Sequence, residues 1–174
     1  AVAPGTVKGR RAHPPKATTI WDQLFNITEN RKAIRSAMAA TVLKDLVVQR
    51  GHLVPKEYPF AIDGSIEKIS KTKEVHALLT KLGFEQELDR TEHRKVRAGK
   101  GKMRGRRTKG KKGVVIVVSD TCALTKAAAN IPGVDIARVN ELSAEMLAPG
   151  ALPGRAPLWS DKAIEKLEKG KMFM

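Results

Sequence analysis

The six residues from Gly113 to Val118 constrain this chain more than any other stretch. After the glycine every side chain is β-branched and apolar, with no polar alternation. Such a run makes a strand covered on both faces, which is the environment of a parallel sheet between helices. Ser119-Asp120 ends it, and a helix from Thr121 to about Ala129 is expected next. The turn Asn130-Ile131-Pro132-Gly133 then leads into a short strand over Val134 to Val139.

The flanking sequence repeats this order. Asn26 and Glu29 have capping-box-like spacing, and Ile34, Ala37, Met38, Thr41, Val42 and Asp45 to Val48 keep mostly helical spacing until Arg50-Gly51. Asp45 is the candidate break between two shorter helices. Tyr58 to Ile62 reads as a strand ended by Asp63-Gly64, and Thr72 to Leu82 as an amphipathic helix closed by Gly83. Towards the end, Ser143 to Leu147 reads as a helical turn, Arg155 to Trp159 as a fourth strand, and Ser160 as the cap of a last helix over Asp161 to Lys169. The expectation is a three-layer α/β/α fold with a mostly parallel four-stranded sheet. The chain has 174 residues, 41% of them hydrophobic, enough for one such domain. It is divided into an extended basic arm over residues 1–19, where Pro4, Gly5, Gly9, Pro14 and Pro15 prevent a regular helix, and a globular domain over residues 20–174.

Inside that domain lies a segment that contributes nothing to a core. From Arg94 to Lys112 there is no acid, while Arg94, Lys95, Arg97, Lys100, Lys102, Arg104, Arg106, Arg107, Lys109, Lys111 and Lys112 alternate with glycines. Cations at this density repel one another unless an anion lies between them, and the glycines let the backbone approach that anion closely. Arginine forks suit phosphate oxygens, and lysines displace condensed counterions. The arm adds Lys8, Arg10, Arg11, His13 and Lys16. Whole-chain composition agrees, with 33 Lys and Arg against 18 Asp and Glu, a formal charge of +15. No apolar run is long enough for a bilayer span, so nucleic acid is favoured over lipid. Aromatics are 4% of the chain and none lies in the basic segment, so shape and phosphate should dominate recognition over base stacking.

Rival chemistries fare less well. Gly105 to Lys112 has phosphate-loop spacing, but Lys112 stands where a metal-binding hydroxyl is required, and Gly99, Gly101 and Gly105 miss the dinucleotide fingerprint. Cys122, the single cysteine, could be set against His52, His76 or His93 but reads as a small packed thiol. Asp63 and Asp120 follow predicted strands, where turns and helix caps also call for Asp. No catalytic residue, cofactor, metal or small-molecule substrate is therefore expected. A DNA-binding protein would share the charge, and an α/β enzyme acting on nucleotides would need a pocket with convergent acids.

The segment Lys95-Val96-Arg97-Ala98-Gly99-Lys100-Gly101-Lys102-Met103-Arg104-Gly105-Arg106-Arg107 closely resembles the signature of the ribosomal protein L-four family of the large subunit, in its archaeal and eukaryotic form. Gly9 to Pro15, Ala33 to Ala37, Lys71 to Val75, Asn130 to Val134, Leu147 to Gly150 and Pro153 to Arg155 support it, and the histidine and prolines of the first favour the archaeal branch. The resemblance implies a cytoplasmic, ribosome-bound protein without enzymatic activity, bound to large-subunit ribosomal RNA and to other large-subunit proteins and needed early in assembly. It also implies that residues 1–16 are the returning limb of a long arm directed at the peptide exit tunnel, whose outgoing limb this sequence lacks, through truncation or processing. On that reading Arg94 to Lys112 clamps RNA phosphates, Gly9 to Lys16 threads a second groove, and Gly150 to Arg155 adds a third contact through Arg155.

Overall fold

The structure is a computed structural model and describes residues 3–173; Ala1 and Val2 of the arm, and Met174, lie outside the described residues. From residue 3 to residue 26 there is neither helix nor strand. Asn26 then starts α1 (Ile27–Val42), its side-chain oxygen accepting from the Thr28 N–H at 3.1 Å and the Thr28 hydroxyl at 2.8 Å. The helix breaks at Leu43, whose extended backbone also starts α2 (Lys44–Gln49); Asp45, the expected break, sits one residue inside. An Asn26→Ala variant removes the side-chain oxygen that caps α1 and should cost about 1 kcal/mol, within roughly 0.5–2 for such caps. A urea midpoint shifted down with an unchanged slope checks this.

Strand β1 is only Ala61–Ile62. Its expected start is taken up otherwise, since Pro59 has no N–H to pair and the buried Tyr58 donates its hydroxyl to the Thr41 carbonyl of α1. Helix α3 (Thr72–Lys81) follows as predicted, with Val75 and Leu79 buried one turn apart. A further helix, α4 (Glu85–Glu92), was not anticipated. Seven of its eight residues, EQELDRTE, are polar, so it carries almost no apolar periodicity. What holds it is Leu88, packed in the core, the buried Thr91 and the buried carboxylate of Glu87.

The basic segment is a hairpin. Strands β2 (Lys95–Val96) and β3 (Thr108–Lys109) pair antiparallel, with Lys95 opposite Lys109 and Val96 opposite Thr108. A 3-10 turn over Lys100–Arg104 forms its tip, bounded by Gly99 and Gly105, both at positive φ. The remaining elements are β4 (Val115–Val118), α5 (Ala123–Ala128), β5 (Asp135–Arg138), α6 (Ala144–Leu147), β6 (Pro157–Ser160) and α7 (Asp161–Lys169). The Ser160 hydroxyl caps α7 as expected, accepting from the Ala163 N–H at 3.2 Å.

The four long-range strands form one parallel sheet in the order β1-β6-β4-β5, so the apolar run lies in the interior of the sheet. Its alternate side chains separate the two cores. Val114, Ile116 and Val118 pack with Val75 and Leu79 of α3, Phe84, Leu88 of α4 and Leu124 of α5. Val115 and Val117 pack with Ile34 and Ala37 of α1, Leu147 of α6 and Ala163 of α7. The architecture is the expected three-layer α/β/α.

Candidate nucleic-acid interface

The hairpin leaves the body between α4 and β4, and both stems are held by named groups. On the outgoing side α4 runs to Glu92, with His93 alone between it and Arg94. On the returning side Arg90 donates through Nη2 to the Lys112 carbonyl at 2.8 Å, and Arg155 donates through Nε to the Gly113 carbonyl at 2.7 Å. Gly113 itself fits because it lacks a side chain: a Cβ there would stand 2.8 Å from Thr91 Cγ2 and 3.1 Å from the Gly133 carbonyl oxygen.

Arg90 and Glu87 form a bidentate pair, with Nε on Oε2 at 2.8 Å and Nη2 on Oε1 at 2.6 Å. Glu87 also accepts from the Leu53 N–H at 3.0 Å and from His52 Nδ1 at 2.7 Å, where the imidazole is assigned as donor. Burial pushes the Glu87 carboxyl up, but the hydrogen bonds from Arg90, His52 and Leu53 outweigh it and hold its pKa at about 2. Asp135 behaves likewise: burial raises it, and bonds from Lys112 and Arg155 win and keep it below the ordinary carboxylate range.

The free part of the hairpin is a different environment. From Arg94 to Lys111 none of the cations has an ion-pair partner among the described residues, and Lys112 alone reaches a carboxylate, Asp135 Oδ2 at 2.7 Å. Arg94, Lys95, Arg97, Lys100, Lys102, Arg104, Arg106, Arg107, Lys109 and Lys111 are all exposed. In the arm, Lys8, Arg10, Arg11, His13 and Lys16 are exposed too, and the chain turns back at Gly9, whose N–H donates to the Thr6 carbonyl at 2.9 Å.

Arg155 requires a correction. It is 1% exposed and its guanidinium is spent inside the protein, on Gly113 O, on Met146 O at 2.9 Å and on Asp135 Oδ2 at 2.7 Å. The chain turns at Gly154, with φ of 89° and no room for a Cβ beside the Leu46 carbonyl, and the next side chain reaches the starts of β4 and β5. It is a strut for the hairpin stem and out of reach of any nucleotide.

The sequence reading missed Arg50. Its guanidinium donates to the Leu152 carbonyl and to the Pro149 carbonyl at 2.6 Å, which fastens residues 149–152 to the end of α2. With Arg90, Lys95, Lys109, Lys111 and Lys112 it lines a cleft of about 510 Å³ floored by His52. Arg50-Gly51 looked like a helix stop, and nothing local in sequence ties it to a loop about a hundred residues away. The acids that an enzyme reading would use are occupied: Asp63 accepts from Ser65 Oγ at 2.8 Å, and Asp120 pairs with Lys166. Among the described residues no three His, Cys, Asp or Glu side chains stand together to hold a metal, and no helix is long and apolar enough to cross a membrane.

The model of the ribosomal protein L4/L1 family matches residues 1–170. The chain belongs to that family. It is 52% identical over 168 residues to the large ribosomal subunit protein uL4 of Nanoarchaeum equitans (strain Kin4-M), covering 96% of this chain and 62% of the relative. It is 48% identical to the proteins of that name from Methanococcoides burtonii, over 95% of this chain and 66% of the relative, and from Pyrobaculum aerophilum, over 95% and 60%. The chain thus spans between 60% and 66% of the length of these three relatives. They are named as ribosomal proteins and not as enzymes. Glu87, Arg90, Asp135 and Arg155 hold the returning stem of the hairpin to the body.

Proposed function

We propose that this chain is a structural, non-enzymatic constituent of the cytoplasmic large ribosomal subunit, which binds the subunit's ribosomal RNA and supports its assembly. One observation carries the reading: a hairpin of eleven Lys and Arg residues without an acid, of which only the last has a carboxylate partner among the described residues. Phosphate is the anion that relieves such a surface. The hairpin, with Arg104 at its tip and Arg106 and Arg107 just after it, binds RNA phosphates, and the arm, with Lys8, Arg10, Arg11, His13 and Lys16, lies along a second RNA surface. The exposed apolar side chains of Ile20, Trp21, Leu24 and Phe25 suit a contact with a neighbouring large-subunit protein. Membership of the L4/L1 family and the printed name of the relatives support the reading.

The test is a salt titration of RNA binding. Replacing Arg104, Arg106 and Arg107 together with Ala removes three phosphate contacts, and each contributes about 0.7–0.9 to the log-log slope of affinity against salt, so the slope should flatten by about 2–3. An unchanged slope overturns the hairpin's role. Competition between folded ribosomal RNA and duplex DNA at one salt concentration separates this reading from a DNA-binding one, and a preference for DNA counts against it.

A further inference from the structure

The cleft between the hairpin stem and residues 149–152 is concave, cationic and only partly neutralised. Glu87 answers Arg90, and Asp135 is shared by Lys112 and Arg155, which among the described residues leaves Arg50, Lys95, Lys109 and Lys111 with no carboxylate. Burial first, and then the guanidiniums of Arg155 and Arg90, pull the Arg50 pKa below its ordinary value, a sign that the positive charge here is crowded. Lys95 and Lys109 face each other as cross-strand partners, an arrangement of like charges that destabilises a two-stranded ribbon unless an anion sits beside it. Arg50 spends two of its donors on the Pro149 and Leu152 carbonyls, and those bonds hold the guanidinium still with its remaining N–H groups available.

We infer that this cleft seats the sugar-phosphate backbone of one unpaired RNA strand, with Arg50 on one wall and Lys109 and Lys111 on the other. The inference rests on the RNA-binding reading above and sharpens it to a strand type. Size argues for a single strand: about 510 Å³ falls in the range of sites for nucleotide-sized ligands, roughly 300–1,000 Å³, and is far too narrow for an A-form duplex. Continuity argues for a strand over a lone nucleotide. Lys95 and Lys109 also line a second hollow of about 440 Å³, beside Arg97 and Arg106, so a backbone leaving the first seat meets further cations at once. No Phe, Tyr or Trp lines either hollow, and His52 of the first is buried with its Nδ1 on Glu87, so the grip is on phosphate and sugar and is tolerant of base identity.

The test compares two probes, an unpaired twelve-nucleotide RNA and a twelve-base-pair RNA duplex, by fluorescence anisotropy with the full chain at one salt concentration. Lys109→Gln with Lys111→Gln changes only exposed side chains and should leave folding intact. Arg50→Gln is the companion, checked by circular dichroism because it also loosens residues 149–152. Each should weaken binding of the unpaired strand about ten-fold, while the duplex loses no more than about two- to three-fold. Equal losses for both probes, or no loss for the unpaired strand, overturn the cleft assignment. The triple replacement at Arg104, Arg106 and Arg107 tells the two readings apart. If it weakens binding and the cleft variants do not, the cleft inference alone fails; if it too leaves both probes unaffected, the RNA-binding hairpin falls with it.

Discussion

Replacing Arg155 with Ala should destabilise the fold by about 2–4 kcal/mol, the result of removing a buried guanidinium and leaving the carbonyls it serves without their donor. The guanidinium is the single group that joins the Gly113 carbonyl, the Met146 carbonyl and the Asp135 carboxylate, with the Val114 and Gly133 carbonyls at the edge of reach at 3.5 Å. Removing it leaves the Gly113 and Met146 carbonyls without the donor they have in the fold. Lysine should not rescue the loss, because one ammonium on a flexible stem cannot span the planar set that the fork spans. Chemical denaturation measures the loss. Hydrogen exchange locates it: the Gly113 N–H, which donates to Gly133 O at 2.8 Å, should lose protection before the β4 interior does. A variant as stable as the parent would show that Arg155 is not the strut described.

Acid should remove a second part of the stability, through Glu87. Its carboxyl has a pKa of about 2 in the folded protein against an ordinary 4.5. A depressed carboxylate stabilises fully above its unfolded pKa and loses that contribution as pH falls through the folded one. The window is therefore pH 4.5 down to about 2, and the contribution, at about 1.4 kcal/mol per unit, is about 3 kcal/mol. The groups facing the carboxylate are Arg90, His52 and the Leu53 N–H. Glu67 and Asp135 are also depressed and add to the acid sensitivity of the parent, so the informative quantity is a difference. The gap in unfolding free energy between the parent and Glu87→Gln should be widest near neutral pH and close towards pH 2. A gap that does not change with pH would sink the assignment. Because Arg90 also holds the Lys112 carbonyl, Glu87→Gln should loosen the returning stem of the hairpin as well.

Several features were legible in the linear order of residues because they are local. An unbroken β-branched run from Val114 to Val118 has few resting places other than a strand covered on both faces, and Ser160 before Asp161–Lys169 caps a helix with its own hydroxyl. The acid-free stretch from Arg94 to Lys112 is strongly cationic however it folds, since charge density does not depend on tertiary contacts. Other features were not legible. Helix α4 has almost no apolar face and exists because Glu87 finds His52 and Leu53, some 35 residues away in the chain. The fate of two arginines shows the same limit. Arg155 and Arg50 both looked like surface cations or stops, yet one is interior and the other lines a cleft, because Gly154 turns the first inward and Pro149 and Leu152 capture the second. Local propensity and charge reveal what kinds of elements and partners a chain requires; only packing decides which of its charges are consumed within the fold and which are left facing outward.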